Sequence, residues 1–125
     1  MPKPSALGIM IEEAFALNSH FAVHPIGHTE YLLRYRTAAG VPFAIGRTAA
    51  SGVRVWMAAD NRFKVAIENE GFICARNEPR PKKEGKRATG RNSNLEQIPE
   101  FKGALLYWVK VNTPGEALAV ATKLQ

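Results

Sequence analysis

EYLLRYRTAAGVPFAIGRTAASGVRVWMA, residues 30–58, is the stretch that decides the fold of this chain. It holds three segments rich in branched and aromatic residues, Glu30–Thr37, Val41–Gly46 and Val53–Ala58, which are joined by loops of small residues. Segments of this kind, separated by glycine-containing loops, are typical of strands that follow one another in a sheet. The stretch therefore predicts an antiparallel meander of three strands.

Alternation along the first and third segments divides the predicted meander into an apolar face and a face with arginines. Successive side chains of a strand point to opposite sides of the sheet. One side holds Tyr31, Leu33, Tyr35, Val53, Val55 and Met57, and the other holds Leu32, Arg34, Arg36, Arg54 and Trp56. If helices cover the apolar side, we expect the arginines to emerge on an open side of the sheet. Pro42 lacks a backbone N–H, so we expect the second strand at an edge, or Pro42 among its first residues.

The flanking sequence supplies helices and two further strands. Ser5 and Asp60 or Asn61 are suitable N-caps, while Thr113 and Glu116 match a capping box with proline at the first helical position. These signals predict helices over Ser5–Leu17, from residue 60 or 61 to about Asn69, and over Pro114–Leu124. Apolar, branched and aromatic residues predict two further strands, over Phe72–Ala75 and Gly103–Val111. Helices so few and so placed do not fit a doubly wound parallel sheet. We expect a single α+β domain, residues 1–125, with about five mostly antiparallel strands and three helices.

A basic segment, residues 76–94, lies between the last two predicted strands. It carries seven basic residues against two acidic ones, and so supplies five charges of the formal net charge of +6. It has no large apolar residue, and two prolines and two glycines discourage a regular helix or strand. Such a segment cannot bury enough apolar surface to offset the conformational entropy that is lost when it becomes ordered. The sequence predicts a long, flexible basic loop within the domain.

The composition is typical of one globular domain. At 125 residues, 46% of them hydrophobic, the chain is long enough to bury a core without cross-links. The single cysteine, Cys74, excludes an internal disulfide, fits a reducing compartment and is expected in a buried strand. Glu12 and Glu13 interrupt the apolar run near the N-terminus, so neither a signal peptide nor a membrane span is predicted. We expect a cytoplasmic protein with no membrane partner.

The chain offers weak signals for metal binding and catalysis. The three histidines, His20, His24 and His28, are spaced like ligands on one helix, but Pro25 and Gly27 interrupt a helix there. We interpret them as loop histidines and predict neither a metal site nor a cofactor. No glycine-rich phosphate loop or nucleophile elbow is present, and the acidic residues around 60–70 do not share a helical face. A nuclease is therefore the least favoured function.

The charge pattern favours a partner that is itself anionic. Guanidinium groups bind phosphates in bidentate fashion, and a basic loop gains affinity by releasing counterions. We expect a non-catalytic nucleic-acid-binding domain that contacts the phosphate backbone, DNA being favoured over RNA because the chain shows no aromatic-rich RNA-recognition signature. The predicted contacts on the sheet are Arg34, Arg36, Arg47, Arg54 and Trp56. Those in the loop are Arg76, Arg80, Lys82, Lys83, Lys86, Arg87, Arg91, Asn92 and Asn94.

The same surface charge suits a different class of partner. In this alternative the chain is an inhibitor, an immunity protein or an assembly subunit whose loop becomes ordered on an acidic protein. The apolar strand Gly103–Val111 leaves open a homodimer in which it pairs with its own copy. A partner that survives nuclease treatment would distinguish a protein from nucleic acid.

Overall fold

The computed structural model of the chain describes residues 3–77, 95 and 97–124. Within these residues lie three helices, α1 (Ala6–Ala16), α2 (Asn61–Glu68) and α3 (Pro114–Ala121). The strands are β1 (Phe21–Val23), β2 (Leu32–Thr37), β3 (Pro42–Gly46), β4 (Val53–Ala58), β5 (Ala75–Asn77) and β6 (Leu106–Val111). They form one sheet in the order β1-β2-β3-β4-β6-β5, and every neighbouring pair is antiparallel. The predicted α+β class is confirmed.

One strand was missing from the sequence prediction, which gave five strands where the described residues form six. β1 lies in the stretch interpreted as a histidine loop, and Phe21 pairs with Thr37 at the edge of the sheet. Three residues are too few to show the alternation of apolar and polar side chains that marks a strand in a sequence. Pro25, close to the end of β1, also argues locally against a strand. Pairing with β2, rather than a local signal, decides that this segment is a strand.

The later strands are displaced from their predicted bounds. β5 begins at Ala75 instead of Phe72, and β6 begins at Leu106 instead of Gly103. Gly103 adopts a φ of +67° in the turn before β6, a left-handed conformation that breaks a strand. Cys74 is buried as expected, but it precedes β5 rather than lying in a strand. Pro42 is the first residue of β3, which lies in the interior of the sheet.

The helices begin where the sequence predicts, because their capping residues are present. The Ser5 hydroxyl accepts a hydrogen bond from the backbone N–H of Gly8 at 2.9 Å, and the Asp60 carboxylate accepts one from Arg62 at 2.8 Å. The Thr113 hydroxyl accepts from the backbone N–H of Glu116 at 3.1 Å. Each cap satisfies a backbone donor that the first helical turn leaves unpaired.

The three helices contribute to the larger core, which covers one face of the sheet. Leu7, Ile11 and Phe15 of α1 recur every four residues and so form one buried stripe. They pack with apolar side chains of α2 and α3 and with the inward positions of β2, β3, β4 and β6. This helix-covered face has the side chains that alternation predicts, among them Leu33, Tyr35, Val53, Val55 and Met57.

The opposite face, called the second face below, carries a smaller apolar cluster. Leu95, Ile98 and Phe101, which follow the basic segment, form a smaller cluster with Leu32, Ala44 and Leu106 of the sheet. All six side chains are buried, and Trp56 packs against them. Within the part of the chain that the structure describes, the short stretch 95–101 therefore covers one part of the second face.

Candidate functional site

The register of the strands brings two tryptophans and two cations together on the second face. Trp56 of β4 lies opposite Trp108 of β6, and Arg54 lies opposite Lys110. Trp108 in turn lies opposite Ala75 on the edge strand β5. Side chains opposite one another in a ladder share a face and lie in contact distance. The second face is therefore aromatic in the middle of β4 and β6 and cationic towards one end of these strands.

Arg34, predicted on an open face, is buried instead, with 3% of its surface exposed. Its Nη1 donates to the side-chain oxygen of Gln97 at 3.0 Å, its Nη2 donates to the carbonyl of Ile26 at 3.1 Å, and its Nε donates to the carbonyl of Gly27. These acceptors offset the cost of burying the cation. Arg34 joins the loop after β1 to the covering stretch 95–101, and its donors are not directed at a ligand.

Arg36 takes part in a second polar contact between the sheet and the covering stretch. Its Nη2 donates to one oxygen of Glu100 at 3.0 Å, and Nε2 of the buried His24 lies 3.2 Å from the other oxygen. Burial acts to raise the pKa of Glu100, but hydrogen bonds from its own backbone, Arg36 and His24 outweigh that effect and lower it. Arg36 is half-exposed, and its charge is largely compensated by this carboxylate.

Arg47 lies on the helix side of the molecule rather than with the other arginines. Its Nη2 donates to Glu12 of α1 at 2.9 Å, and its Nη1 donates to the carbonyl of Thr29 at 2.9 Å. Its backbone carbonyl accepts from Ser5, and a Cβ at Gly8 would overlap that carbonyl, so glycine is needed where α1 approaches this loop. The prediction that Arg47 lies beside the sheet arginines is wrong, because close packing of the loop on α1 directs it away from them.

The two tryptophans have different environments. Trp56, a predicted contact, packs against the cluster under residues 95–101, and among the described residues its buried Nε1 has no hydrogen-bond partner. Trp108 is half-buried and lies outside that cluster. The sequence analysis named no residue of the apolar strand around Trp108 as a contact and so missed it. Its alternation with Tyr107 and Val109 was the signal that could have placed it on the same face as Trp56.

Arg54, Trp108 and Lys110 form what we call the open surface. The guanidinium carbon of Arg54 lies 4.3 Å from the centre of the Trp108 ring, a cation–π contact that holds the arginine over the aromatic face. Arg54 and Lys110 are exposed. A groove of about 360 Å³ runs beside them and is lined by Gly71, Phe72, Ile73, Ala75, Trp108 and Lys110. The arrangement can present two cations and one aromatic ring to an anionic ligand.

The basic segment begins on β5, the edge strand of the sheet. Arg76 lies on β5, is exposed, and pairs with Tyr107, so its side chain starts from the face opposite to Trp108. The other predicted contacts of the segment lie outside the described residues: Arg80, Lys82, Lys83, Lys86, Arg87, Arg91, Asn92 and Asn94. The structure describes the two sides of this gap. Asn77 is the last residue of the edge strand β5, and Leu95, which follows the segment, is buried on the second face.

The structure gives no sign of a metal centre or a reactive thiol in the described part of the chain. No group of three or more histidine, cysteine, aspartate or glutamate side chains in residues 3–77 and 97–124 is placed to hold a metal ion. Burial raises the pKa of the Cys74 thiol, which therefore favours the unreactive protonated form. Among the same residues, no helix is long and apolar enough to cross a membrane.

Comparison of the chain with protein-family models, with curated proteins and with solved structures gives no match. Its chemistry therefore has to be inferred from its own side chains. The open surface and the basic segment are both cationic, and Arg76, the first residue of the segment, lies on the edge strand β5 beside β6.

Proposed function

We propose that this chain is a non-catalytic domain that binds the phosphate backbone of nucleic acid, preferentially DNA. In this proposal the open surface, Arg54, Trp108 and Lys110, supplies fixed contacts, and the basic segment supplies most of the attraction. Phosphate contacts by arginine and lysine release counterions, which is the main source of sequence-independent affinity. The local charge of the segment, together with these two exposed cations, fits that mode of binding.

The observation that carries the proposal is the stacking of Arg54 on Trp108. A guanidinium 4.3 Å above an indole ring is held in one place, so less side-chain entropy is lost when it binds a phosphate. Lys110 lies directly opposite Arg54 in the ladder, so the two cations are neighbours on one flat surface. A pair of adjacent exposed cations with no acidic side chain between them on the described strands is suited to the phosphates of a backbone.

The aromatic content of the second face favours backbone contacts over base stacking. Sheets that recognise single-stranded RNA stack two or three bases on exposed aromatic rings. On the described second face, Trp56 is packed under residues 95–101, and Trp108 is covered on one side by Arg54. This arrangement supports DNA as the preferred ligand.

An acidic protein is the second candidate partner, and one apolar feature favours it. Ile73 is 80% exposed and lines the groove beside Trp108 and Lys110. An exposed aliphatic side chain next to a cationic surface is common in protein interfaces, where the apolar centre is surrounded by polar groups. We prefer nucleic acid as the partner, because the positive charge of the basic segment is larger than a protein bound only in this small groove would neutralise.

The test of the proposal is a pair of double variants with the same change in net charge. Arg54→Gln with Lys110→Gln removes the cations of the open surface. Arg62→Gln with Lys64→Gln removes two cations of α2, on the other side of the sheet. Binding of each protein to a 20-base-pair duplex is measured by fluorescence anisotropy at about 50 and 200 mM salt.

We expect the first double variant to lose about tenfold in affinity and the second to lose less than about threefold, since nonspecific charge effects are common to both.

Changing Lys82, Lys83, Lys86 and Arg87 to Gln tests the basic segment. If each of them contacts one phosphate, the slope of the logarithm of affinity against the logarithm of salt concentration should become shallower by about three to four. Affinity that does not depend on salt would contradict the proposal. Capture of an acidic protein that persists after nuclease treatment would favour the second candidate instead.

A further inference from the structure

A second pocket lies on the helix-covered side of the sheet, between α1, β1 and β2. Its volume is about 240 Å³, and its apolar walls are Phe15, Phe21 and Val23. Three polar side chains, Glu12, His28 and Tyr35, also line it. The pocket is remote in the fold from the open surface, because it lies by the opposite edge strand and on the opposite face. The proposed function does not use it.

Tyr35 lines this pocket, and its hydroxyl has no hydrogen-bond partner among the described residues. The residue is buried, with 3% of its surface exposed, and its ring stacks on Phe15 at 4.8 Å between centres. Its hydroxyl makes no hydrogen bond with any described residue and is not among the fully buried unpaired polar atoms, so it stays accessible from the pocket. Burial, and then the nearby Glu12 carboxylate, raise the pKa of Tyr35, so the hydroxyl keeps its proton and can donate.

His28 supplies a donor of fixed identity. Its Nδ1 accepts a hydrogen bond from the backbone N–H of Arg34 at 2.9 Å, so the proton of the neutral ring is on Nε2. Burial is the main cause that lowers the pKa of His28, and the neutral form is therefore the one present at pH 7. The ring packs edge-on against the Tyr35 ring, with centres 5.0 Å apart, so both residues line the same pocket in direct contact.

Glu12 supplies an acceptor while its charge is already compensated. One carboxylate oxygen accepts from Nη2 of Arg47 at 2.9 Å, and Arg47 is itself held by the carbonyl of Thr29. The other carboxylate oxygen makes no hydrogen bond with any described residue. The pocket thus combines two donors and one acceptor with little net charge.

We infer that this pocket binds a small uncharged aromatic alcohol, a molecule of the phenol type. A volume of about 240 Å³ is below that of drug-sized sites but accommodates a single ring with one substituent. The ring would pack on Phe15 and Phe21, while the alcohol donates to the Glu12 carboxylate and accepts from the Tyr35 hydroxyl. An anion has no proton to donate to the Glu12 carboxylate, and a cation would compete with Arg47 for that same carboxylate.

Titration of the protein with phenol, followed by NMR, tests this assignment. Phenol is expected to shift the ring resonances of His28 and the methyl resonances of Val23, with a Kd on the order of 1 mM for a ligand of this size. Benzene tests the contribution of the alcohol, and benzoate and benzylamine test the exclusion of charge. Each of these three is expected to bind at least about fivefold more weakly than phenol.

Two variants make the titration decisive. Tyr35→Phe removes only the hydroxyl and should weaken phenol binding about fivefold. Ala16→Leu, at an exposed position of α1 that lines the pocket, should fill the pocket and abolish binding without disturbing the core. The inference would be overturned if phenol failed to bind at a concentration 20-fold above the expected Kd of about 1 mM. It would also be overturned if both variants bound phenol as tightly as the parent protein. DNA binding by Ala16→Leu should stay unchanged, so the outcome is independent of the proposed function.

Discussion

The two faces of the sheet are closed by different means. Three helices cover one face with a continuous apolar core, into which Ile11, Phe43 and Val120 are fully buried. Among the described residues, one short stretch, residues 95–101, covers part of the other face and is held by a smaller apolar cluster. Contacts of this stretch with Arg34 and Arg36, which we call the polar attachment, add to the cluster. A broad apolar core therefore holds the helices, whereas the stretch on the other face depends on a small cluster together with polar contacts.

This difference follows from what each kind of side chain needs. Apolar side chains are stabilised by any close-packed apolar neighbour, so a helix with a regular stripe is sufficient. A buried arginine needs acceptors at specific positions, and Arg34 finds them in Gln97, Ile26 and Gly27. Arg54, which lies over Trp108 and makes no hydrogen bond to an acceptor in the described part of the chain, stays exposed.

The largest expected effect comes from removing one phenylalanine ring from either face. Phe43 on the helix-covered face and Phe101 on the second face are both fully buried. We expect Phe43→Ala to lower the free energy of unfolding by about 4 kcal/mol and Phe101→Ala by about 2 kcal/mol, because the cover on the second face can detach instead of enclosing a cavity. Urea denaturation measures both values.

Limited proteolysis is the companion measurement for this pair. Phe101→Ala should make the chain around residues 95–101 accessible while the helices stay protected, whereas Phe43→Ala should raise cleavage throughout the domain. Equal losses of stability with the same cleavage pattern would mean that both faces belong to one cooperative core.

The next effect compares two arginines on the same face. Arg34→Met leaves the Gln97 side chain and two carbonyls unpaired, and we expect a loss of about 3 kcal/mol in unfolding free energy. Arg54→Met removes an exposed cation and its contact with Trp108, and should cost less than about 1 kcal/mol. Thermal denaturation at matched net charge measures the contrast. If the two variants proved equally stable, Arg34 would not be the polar attachment described above.

The smallest effect is a pH dependence that arises from Glu100. In the folded protein the pKa of Glu100 lies below its ordinary value of 4.5. Between the folded-state and the ordinary pKa, the unfolded chain binds more protons than the folded one, so stability rises with pH. The contribution is fully present above about pH 4.5 and is lost as pH falls through the folded-state pKa. Since the carboxylate is one-third exposed, it should amount to less than about 1 kcal/mol.

Glu100→Gln is expected to lose stability at pH 7 and to approach the parent protein near pH 3. Glu13→Gln, which changes an exposed carboxylate of α1 without an ion pair among the described residues, is the matched control and should run parallel to the parent. Urea denaturation between pH 3 and 7 gives both curves. A constant difference between Glu100→Gln and the parent would contradict the role of Glu100 in the attachment.

Local signals predicted much of the fold and little of the candidate site. The caps Ser5, Asp60 and Thr113 mark helix starts, and alternation in 53–58 places Val55 and Trp56 on opposite faces as observed. In contrast, β1 is too short to show an alternation of side chains. The contacts of Trp108 depend on the register between β4 and β6, which are far apart in the sequence. Binding of DNA stays a prediction for the open surface and for the basic segment.

The sequence by itself determined the apolar face, the helix starts and the concentration of charge in residues 76–94, because periodicity, capping and charge are local properties of the chain. The tertiary structure alone decided which arginines are exposed. Arg34 and Arg54 look alike in the sequence, yet one is buried under residues 95–101 and the other lies over Trp108. The cause is long-range packing, which determines where acceptors are available and where solvent remains.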